Sequence, residues 1–176
     1  RSTNVNNQDV RRIDFELSGM GNDDTLKGSL GNDTFGATPG DDVFVGRGEI
    51  QGSFWDAMYS DTFAGDQVEY AGINSARATV SFVEAAAADL AAVGLATTDF
   101  DTRDIVGTAE SPLYRYVTVT DSLPYQSGGY GTDVMVGIER VVFDDKAVNV
   151  AITVTADTWD YQDQNGQTVT GGQSSI

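Results

Sequence analysis

A nine-residue repeat near the start of the chain constrains its fold more than any other feature. Aspartates recur at this spacing, and a large apolar residue follows each of them two positions later. The pairs are Asp24 with Leu26, Asp33 with Phe35, and Asp42 with Phe44. A small residue keeps the same phase, at Gly19, Gly28, Ala37 and Gly46. In-phase repetition of three residue classes predicts structural units that stack on one another.

The repeat also predicts how the aspartates are arranged in space. Each nonapeptide contains a glycine-rich turn of roughly six residues and a strand of roughly three, and so short a strand must stack on copies of itself. Two nonapeptides make one coil, which places Asp24 and Asp42 in neighbouring turns and Asp33 on the opposite side. Stacked carboxylates repel each other unless a cation lies between them. Calcium suits such turns because it accepts carboxylate and backbone carbonyl oxygens in loose geometry.

These residues resemble the nonapeptide repeats of the RTX (repeats-in-toxin) family, Gly-Gly-x-Gly-x-Asp-x-(large apolar)-x, which form a calcium-filled parallel β-roll. The match covers residues 19–46, although Asn22, Ser29 and Thr38 stand where the pattern has glycine. The expected fold is all-β: a short parallel β-roll of RTX type fused to a strand-rich second half, with at most one short helix. The expected carboxylate ligands of calcium are Asp24, Asp33, Asp42 and Asp61. The glycines expected near the ion, or supplying carbonyl ligands, are Gly19, Gly21, Gly28, Gly31 and Gly40.

Later stretches extend the resemblance. Ser60–Phe63 repeats the ending of a unit, and Gly65–Tyr70 is typical of a strand that leaves such a roll. Gly131–Phe143 resembles segments that follow RTX repeats in secreted proteins. The expected short helix is the alanine-rich Glu84–Val93, followed by a long polar loop over Thr97–Ser111. We expect three regions: a lead-in strand and calcium-binding roll at 1–75, a β-rich region packed on the roll at 76–161, and a polar tail or linker at 162–176.

Composition excludes several classes of function. The chain has 176 residues, 27 acidic against 10 basic, and a net charge of −17. It contains no histidine or cysteine, which excludes a Ser-His-Asp triad, a thiol nucleophile and a His/Cys zinc site. The acidic balance argues against binding to nucleic acid or anionic lipid, and no apolar run is long enough to span a membrane.

We therefore expect a non-catalytic, extracellular calcium-binding module of a larger secreted bacterial protein, in which calcium drives folding and stability. Secretion by a type I pathway is implied by the RTX resemblance alone. One alternative is a calcium-dependent carbohydrate-binding or adhesin module, with aromatic residues that stack on sugar rings; the candidates are Trp55, Tyr59, Tyr125 and Tyr130. Another is a polysaccharide-active enzyme that uses carboxylates. The expected partners are calcium, a polysaccharide or cell-surface glycan, and other domains of the same polypeptide.

Overall fold

The computed structural model describes residues 16–29, 32–47 and 65–150 and the strands 159–162 and 168–171. This part of the chain is rich in strands and mostly sheet, as expected for an all-β protein. The strands are β1 (Glu16–Ser18), β2 (Thr25–Lys27), β3 (Thr34–Gly36), β4 (Val43–Val45), β5 (Gln67–Tyr70), β6 (Ala78–Ala86), β7 (Ile105–Thr108), β8 (Ser111–Asp121), β9 (Thr132–Val136), β10 (Arg140–Phe143), β11 (Ala147–Asn149), β12 (Trp159–Gln162) and β13 (Thr168–Gly171). The helical segments are 3-10 turns at Ser75–Arg77, Ala87–Val93, Thr97–Asp99, Thr102–Asp104 and Tyr125–Ser127. Within the described residues, no helix combines the length and apolar character needed to cross a bilayer.

Successive strands at the start of the chain alternate between two sheets. The first sheet has the order β1-β3-β5-β10-β11, and the second has the order β2-β4-β9-β8-β6, with β7 paired to β8. Strands β1, β3, β5 and β10 pair in parallel, as do β2, β4 and β9. Leu17 lies beside Phe35, and Leu26 lies beside Phe44. The strands of these two pairs are thus offset by 18 residues, which is two nonapeptides.

The chain leaves this arrangement after β5 and returns to it at β9. Residues 71–131 form a lobe whose strands β6 and β8 pair antiparallel and continue the second sheet. Strand β9 then adds to β4 in parallel, with Met135 beside Phe44. Strand β10 adds to β5, with Val141 beside Val68. The regions expected at 1–75 and 76–161 therefore share both sheets.

Three local features differ from the sequence expectations. Strand β6 continues through Ala86, and only Ala87–Val93 is helical, because Glu84 and Ala85 pair with Arg115 and Tyr114 of β8. Sheet pairing here overrides the helix propensity of alanine. The expected polar loop contains strand β7. In the expected tail or linker at 162–176, β13 forms a strand that pairs antiparallel with β12, most of which belongs to the region expected at 76–161.

The core has two parts because the second sheet is covered on both faces. Between the sheets, Phe35, Phe44 and Val141 are fully buried, and the two phenyl ring centroids lie 5.7 Å apart. On the outer face of the second sheet, Val43 and Val45 pack in a second cluster. Residues of the lobe complete this cluster, including Leu90, Leu95, Phe100, Tyr114 and Tyr116. The lobe therefore explains why β4 buries all three of its residues.

Candidate cation site in the turns

Two columns of acidic residues lie near the N-terminal ends of the parallel strands, one column for each sheet. These acidic residues lie at the start of parallel strands, and the strand register stacks them from coil to coil. The first column belongs to the second sheet and consists of Asp24 and Asp42, which precede β2 and β4, and Asp133, the second residue of β9. The second column, which precedes strands of the first sheet, consists of Asp33, Asp66 and Glu139.

Backbone N–H groups hold the carboxylates of both columns. In the first column the Asp24 N–H donates to Asp42 Oδ1 at 2.9 Å, and the Asp42 N–H donates to Asp133 Oδ1 at 2.9 Å. In the second column the Asp33 N–H donates to Asp66 Oδ1 at 2.7 Å. The Asp66 N–H donates to Glu139 Oε2 at 2.7 Å. The side chains of Asp42, Asp133, Asp66 and Glu139 therefore each reach back one coil, towards the N-terminus.

At three of the steps between coils, the residue before the column member makes a second bond in the opposite direction. The Asp41 N–H donates to Asp23 Oδ1 at 2.9 Å, and the Thr132 N–H donates to Asp41 Oδ1 at 2.8 Å. In the second column the Gly65 N–H donates to Asn32 Oδ1 at 3.0 Å. Neighbouring coils thus exchange a pair of opposed hydrogen bonds, which we call the two-way clasp. It explains why Asn or Asp precedes the aspartate in all three repeats.

Each repeat aspartate also closes its own turn. Its Oδ2 accepts the N–H of the residue four positions earlier: Met20 to Asp24 at 3.1 Å, Ser29 to Asp33 at 2.6 Å, and Thr38 to Asp42 at 3.3 Å. A Cβ on Gly19 or Gly28 would lie only 2.4 or 2.2 Å from this oxygen. The small residue of the repeat is therefore required by the folded-back carboxylate.

Burial and neighbouring charge raise two pKa values in the first column. Burial raises the pKa of Asp133 to about 8; the charges of Asp42 and Asp41 add to the shift, and hydrogen bonds from Tyr70 and the Asp42 backbone oppose it. The Tyr70 hydroxyl donates to Asp133 Oδ2, and burial with that charge raises the Tyr70 pKa well above its ordinary value. Burial also raises the pKa of Asp42, with a smaller contribution from Asp24. Ionisation of Asp42 and Asp133 is therefore costly.

The donor set of the first column has the chemistry that calcium prefers. The column and the preceding Asp23 and Asp41 supply five carboxylates over three turns. The backbones of neighbouring turns also pack closely, since a Cβ on Gly40 would lie 2.3 Å from the Asn22 carbonyl oxygen. In the part of the chain described, no three acidic side chains converge enough to hold a metal by themselves. Calcium would therefore need backbone carbonyl ligands together with the carboxylates.

The structure divides the residues expected to bind calcium. Asp24 and Asp42 share the first column, and Asp33 lies in the second. The expected glycines Gly19, Gly21, Gly28 and Gly40 lie in the described turns. Outside the described residues are Gly31, Asp61, Trp55 and Tyr59.

The two remaining aromatic candidates have different surroundings. Tyr125 is 49% exposed. Tyr130 packs against Tyr70 with ring centroids 5.6 Å apart, and its hydroxyl donates to the Ala71 carbonyl at 2.7 Å. Tyr130 thus has a structural role, whereas stacking of a sugar on either ring stays a prediction.

Sequence reasoning missed three members of the columns: Asp66, Asp133 and Glu139. A signal existed for Asp133, because Gly131-Thr132-Asp133 repeats the pattern of Gly40-Asp41-Asp42. Its distance from the tandem repeats concealed it.

No protein-family model, curated protein or solved structure matches this chain. Its fold and site define it as a strand-rich protein whose two columns of acidic residues are stacked by parallel strand pairing.

Proposed function

We propose that the chain is a non-catalytic calcium-binding module of RTX type. In this proposal the alternating strands β1–β5, β9 and β10 form a short parallel β-roll, and calcium binds between turns of the first column. The observation that carries the proposal is the stacking of Asp24, Asp42 and Asp133 with Asp23 and Asp41 beside them. As the RTX resemblance implies, the module belongs to a larger secreted bacterial protein.

Electrostatics gives calcium its role in this proposal. Burial and like charges disfavour ionisation of Asp42 and Asp133, which is the physical meaning of their raised pKa values. A divalent cation reverses that balance because it favours the ionised carboxylates. Binding to the folded chain then stabilises it, by about 2.7 kcal/mol when free calcium is a hundred times the dissociation constant.

Thermal unfolding tests the proposal directly. The far-ultraviolet circular dichroism of the full chain is followed through a melt in chelator, in millimolar calcium and in millimolar magnesium. We expect calcium to raise the melting temperature clearly more than magnesium does, because magnesium demands a stricter octahedral geometry. Identical melts in chelator and calcium would contradict the proposal.

Two variants of Asp42 separate its structural role from cation binding. Asp42→Ala removes the acceptor of the Asp24 and Thr38 N–H groups, so we expect the chelator-form stability to fall by about 2–4 kcal/mol. Asp42→Asn removes the charge and keeps an acceptor for the Asp24 N–H, but its amide nitrogen cannot accept the Thr38 N–H and can donate only to the Thr38 hydroxyl. It should lose less chelator-form stability than Asp42→Ala while losing most of the calcium-induced rise in melting temperature.

Calcium titration of both variants by calorimetry completes this test. Weak or absent binding in both is the expected result. An unchanged titration in Asp42→Asn would remove Asp42 from the site, even if Asp42→Ala unfolds.

A further inference from the structure

Strand β6 forms an edge of the second sheet, inside the lobe. It lies within the continuously described residues 65–150, and all nine of its residues pair antiparallel with β8 in an unbroken register. No other described strand pairs with it. Proteins usually protect so long an edge with a bulge, a proline or a lysine, and Ala78–Ala86 has none of these. The other side of β6 is therefore available to a further extended strand.

The pairing register determines which backbone groups face that side. The Ser122 N–H donates to the Arg77 carbonyl at 2.8 Å, at the position just before the first pair of β6 and β8. Bonded and non-bonded positions alternate along an antiparallel pair, so odd-numbered residues of β6 bond to β8 and even-numbered residues face away. The N–H and C=O groups of Val80, Phe82 and Glu84 thus point to the free side of the strand.

The side chains along this edge are apolar or balanced in charge. Val80 packs on the core between the sheets, whereas Phe82, on the same face of the strand, is 62% exposed. Glu84 is the only charged residue of β6, and Arg115 of β8 bonds its carboxylate at 2.9 Å. In a chain with a net charge of −17, this edge therefore carries no net charge that would select a basic or an acidic peptide.

The sequence of β6 makes this edge complementary to itself, because Phe82 is the middle residue of the nine. When two copies of β6 lie antiparallel about a two-fold axis at Phe82, Val80 of one copy lies opposite Glu84 of the other. Both members of each such pair have outward backbone groups and exchange two N–H···O bonds. The two Phe82 side chains lie opposite each other, which is a favourable cross-strand pair, and no like charges are opposed.

We propose that β6 is a self-association edge, through which two copies of the chain join their second sheets into one continuous sheet. The interface is isologous, since the same strand serves both copies. Strand β8 separates it from β9 and the first acidic column, so the association does not require calcium. Repulsion between two chains of charge −17 opposes it, and added salt should therefore strengthen it.

Sedimentation velocity of the full chain tests the proposal. In chelator, we expect a reversible change from monomer to dimer as concentration rises, with a lower dissociation constant at high salt. Hydrogen exchange on dilute and concentrated samples, read by NMR, locates the contact. The Val80, Phe82 and Glu84 amides should exchange about tenfold more slowly in the dimer, because each gains an acceptor. The Ser81 and Val83 amides, which face β8, serve as internal references.

Two lysine variants with the same change in charge provide the matched comparison. Phe82→Lys places two positive charges directly opposite each other at the axis, so the dissociation constant should rise about tenfold or more. Thr79→Lys is the control, because Thr79 is exposed and lies opposite Ala85 of the other copy in this register. It should dimerise at least as well as the parent. Circular dichroism melts of both variants establish that they are folded.

Three results would overturn the proposal. One is a parent that stays monomeric at every concentration and salt. Another is a Phe82→Lys variant that dimerises as tightly as Thr79→Lys. The third is a parent dimer whose slowed amides lie outside β6, since a different surface would then join the copies. This last readout needs no variant, so it stands even when a substituted chain fails to fold.

Discussion

The two columns share one hydrogen-bonding scheme but differ in charge. In the second column, Asn32 and Gly65 stand where the first column has Asp23 and Asp41. Asn32 accepts its N–H donor at 3.0 Å, and Asp23 accepts its donor at 2.9 Å. The clasp thus requires an acceptor oxygen and not a negative charge. The backbone geometry does not need the additional carboxylates of the first column, and for this reason we place the proposed calcium site in that column.

The columns also differ in how tightly the aspartate folds back on its turn. Opposite Gly28, Asp33 Oδ2 lies 2.6 Å from the Ser29 nitrogen. In the turn that begins with Ala37, the equivalent distance from Asp42 to Thr38 is 3.3 Å, and the Thr38 hydroxyl adds a bond of 3.1 Å. Both turns of the first column are longer at this bond, since the distance from Met20 to Asp24 is 3.1 Å, and the Thr38 hydroxyl supplies an additional bond in the turn that begins with Ala37.

The largest effect is expected from Gly28→Ala. Its Cβ would lie 2.2 Å from Asp33 Oδ2 and 3.1 Å from the Phe35 ring, and both of those residues are fully buried. We expect a loss of about 2–4 kcal/mol in the free energy of unfolding, measured by urea denaturation in chelator.

Ala37→Gly is the matched control for that variant in the other column. Ala37→Gly removes a buried methyl group and increases the conformational entropy that the backbone loses on folding. The expected loss in the free energy of unfolding is therefore only about 1–2 kcal/mol. Equal losses in the two variants would refute the link between the small residue and the carboxylate.

The next effect is the pH dependence of stability that Asp133 of the first column contributes, which extends to higher pH than that of Asp104 in the lobe, whose pKa burial raises to about 6. Asp133 has a pKa of about 8 in the folded chain against an ordinary value of 3.8, so between these values the folded state holds a proton that the unfolded state releases. Stability in chelator therefore falls as pH rises from 4 to 8, with a slope of at most about 1.4 kcal/mol per pH unit from this group.

Asp133→Asn should make the free energy of unfolding less dependent on pH and make the protein more stable than the parent at pH 8. The amide oxygen still accepts the Asp42 N–H, and the amide nitrogen faces the Tyr70 hydroxyl oxygen. Urea midpoints at pH 5 and pH 8 provide the measurement. An Asn variant with the same pH slope as the parent would show that another group carries it.

The smallest effect is expected from Asp41→Asn. This variant places in the first column the residue type that the second column has at Asn32. The acceptor for the Thr132 N–H is kept, so the stability in chelator should change by no more than about 0.5 kcal/mol. Loss of this charge should lower the Asp133 pKa, because Asp41 contributes to raising it. Carbon-13 NMR titration of the Asp133 carboxyl measures that change; a shift to higher pKa would contradict this account.

The repeat spacing was sufficient to predict the pairing of neighbouring coils. The constant nine-residue spacing of Asp24, Asp33 and Asp42 predicts that Asp24 and Asp42 lie on one side and Asp33 on the other. The pairing register of the strands agrees with this prediction. Composition and strand patterns also led to the correct all-β class. These features are readable because they repeat within a short stretch of sequence.

Other features have no such pattern. Arg77 and Asp121 are 44 positions apart, and only the antiparallel path of β6 and β8 brings them together at the end of the first column. The carboxylates' use of backbone N–H donors was also not foreseen, since residue types alone do not distinguish a cation ligand from a hydrogen-bond acceptor. The nine-residue repeat in the sequence ends where the lobe interrupts the coils, so the repeat spacing did not identify Asp133.

The chain leaves the coils between β5 and β9. As a result, two equivalent hydrogen bonds between coils close loops of different length and have different entropic costs. The bond from Asp24 to Asp42 closes a loop of 18 residues, and the bond from Asp42 to Asp133 closes one of 91. For a flexible chain this difference costs about 1.4 kcal/mol. Pairing of β6 with β8 shortens the free path and recovers part of that cost. The lobe thus supplies for the third coil the proximity that the first two coils obtain from being consecutive in sequence.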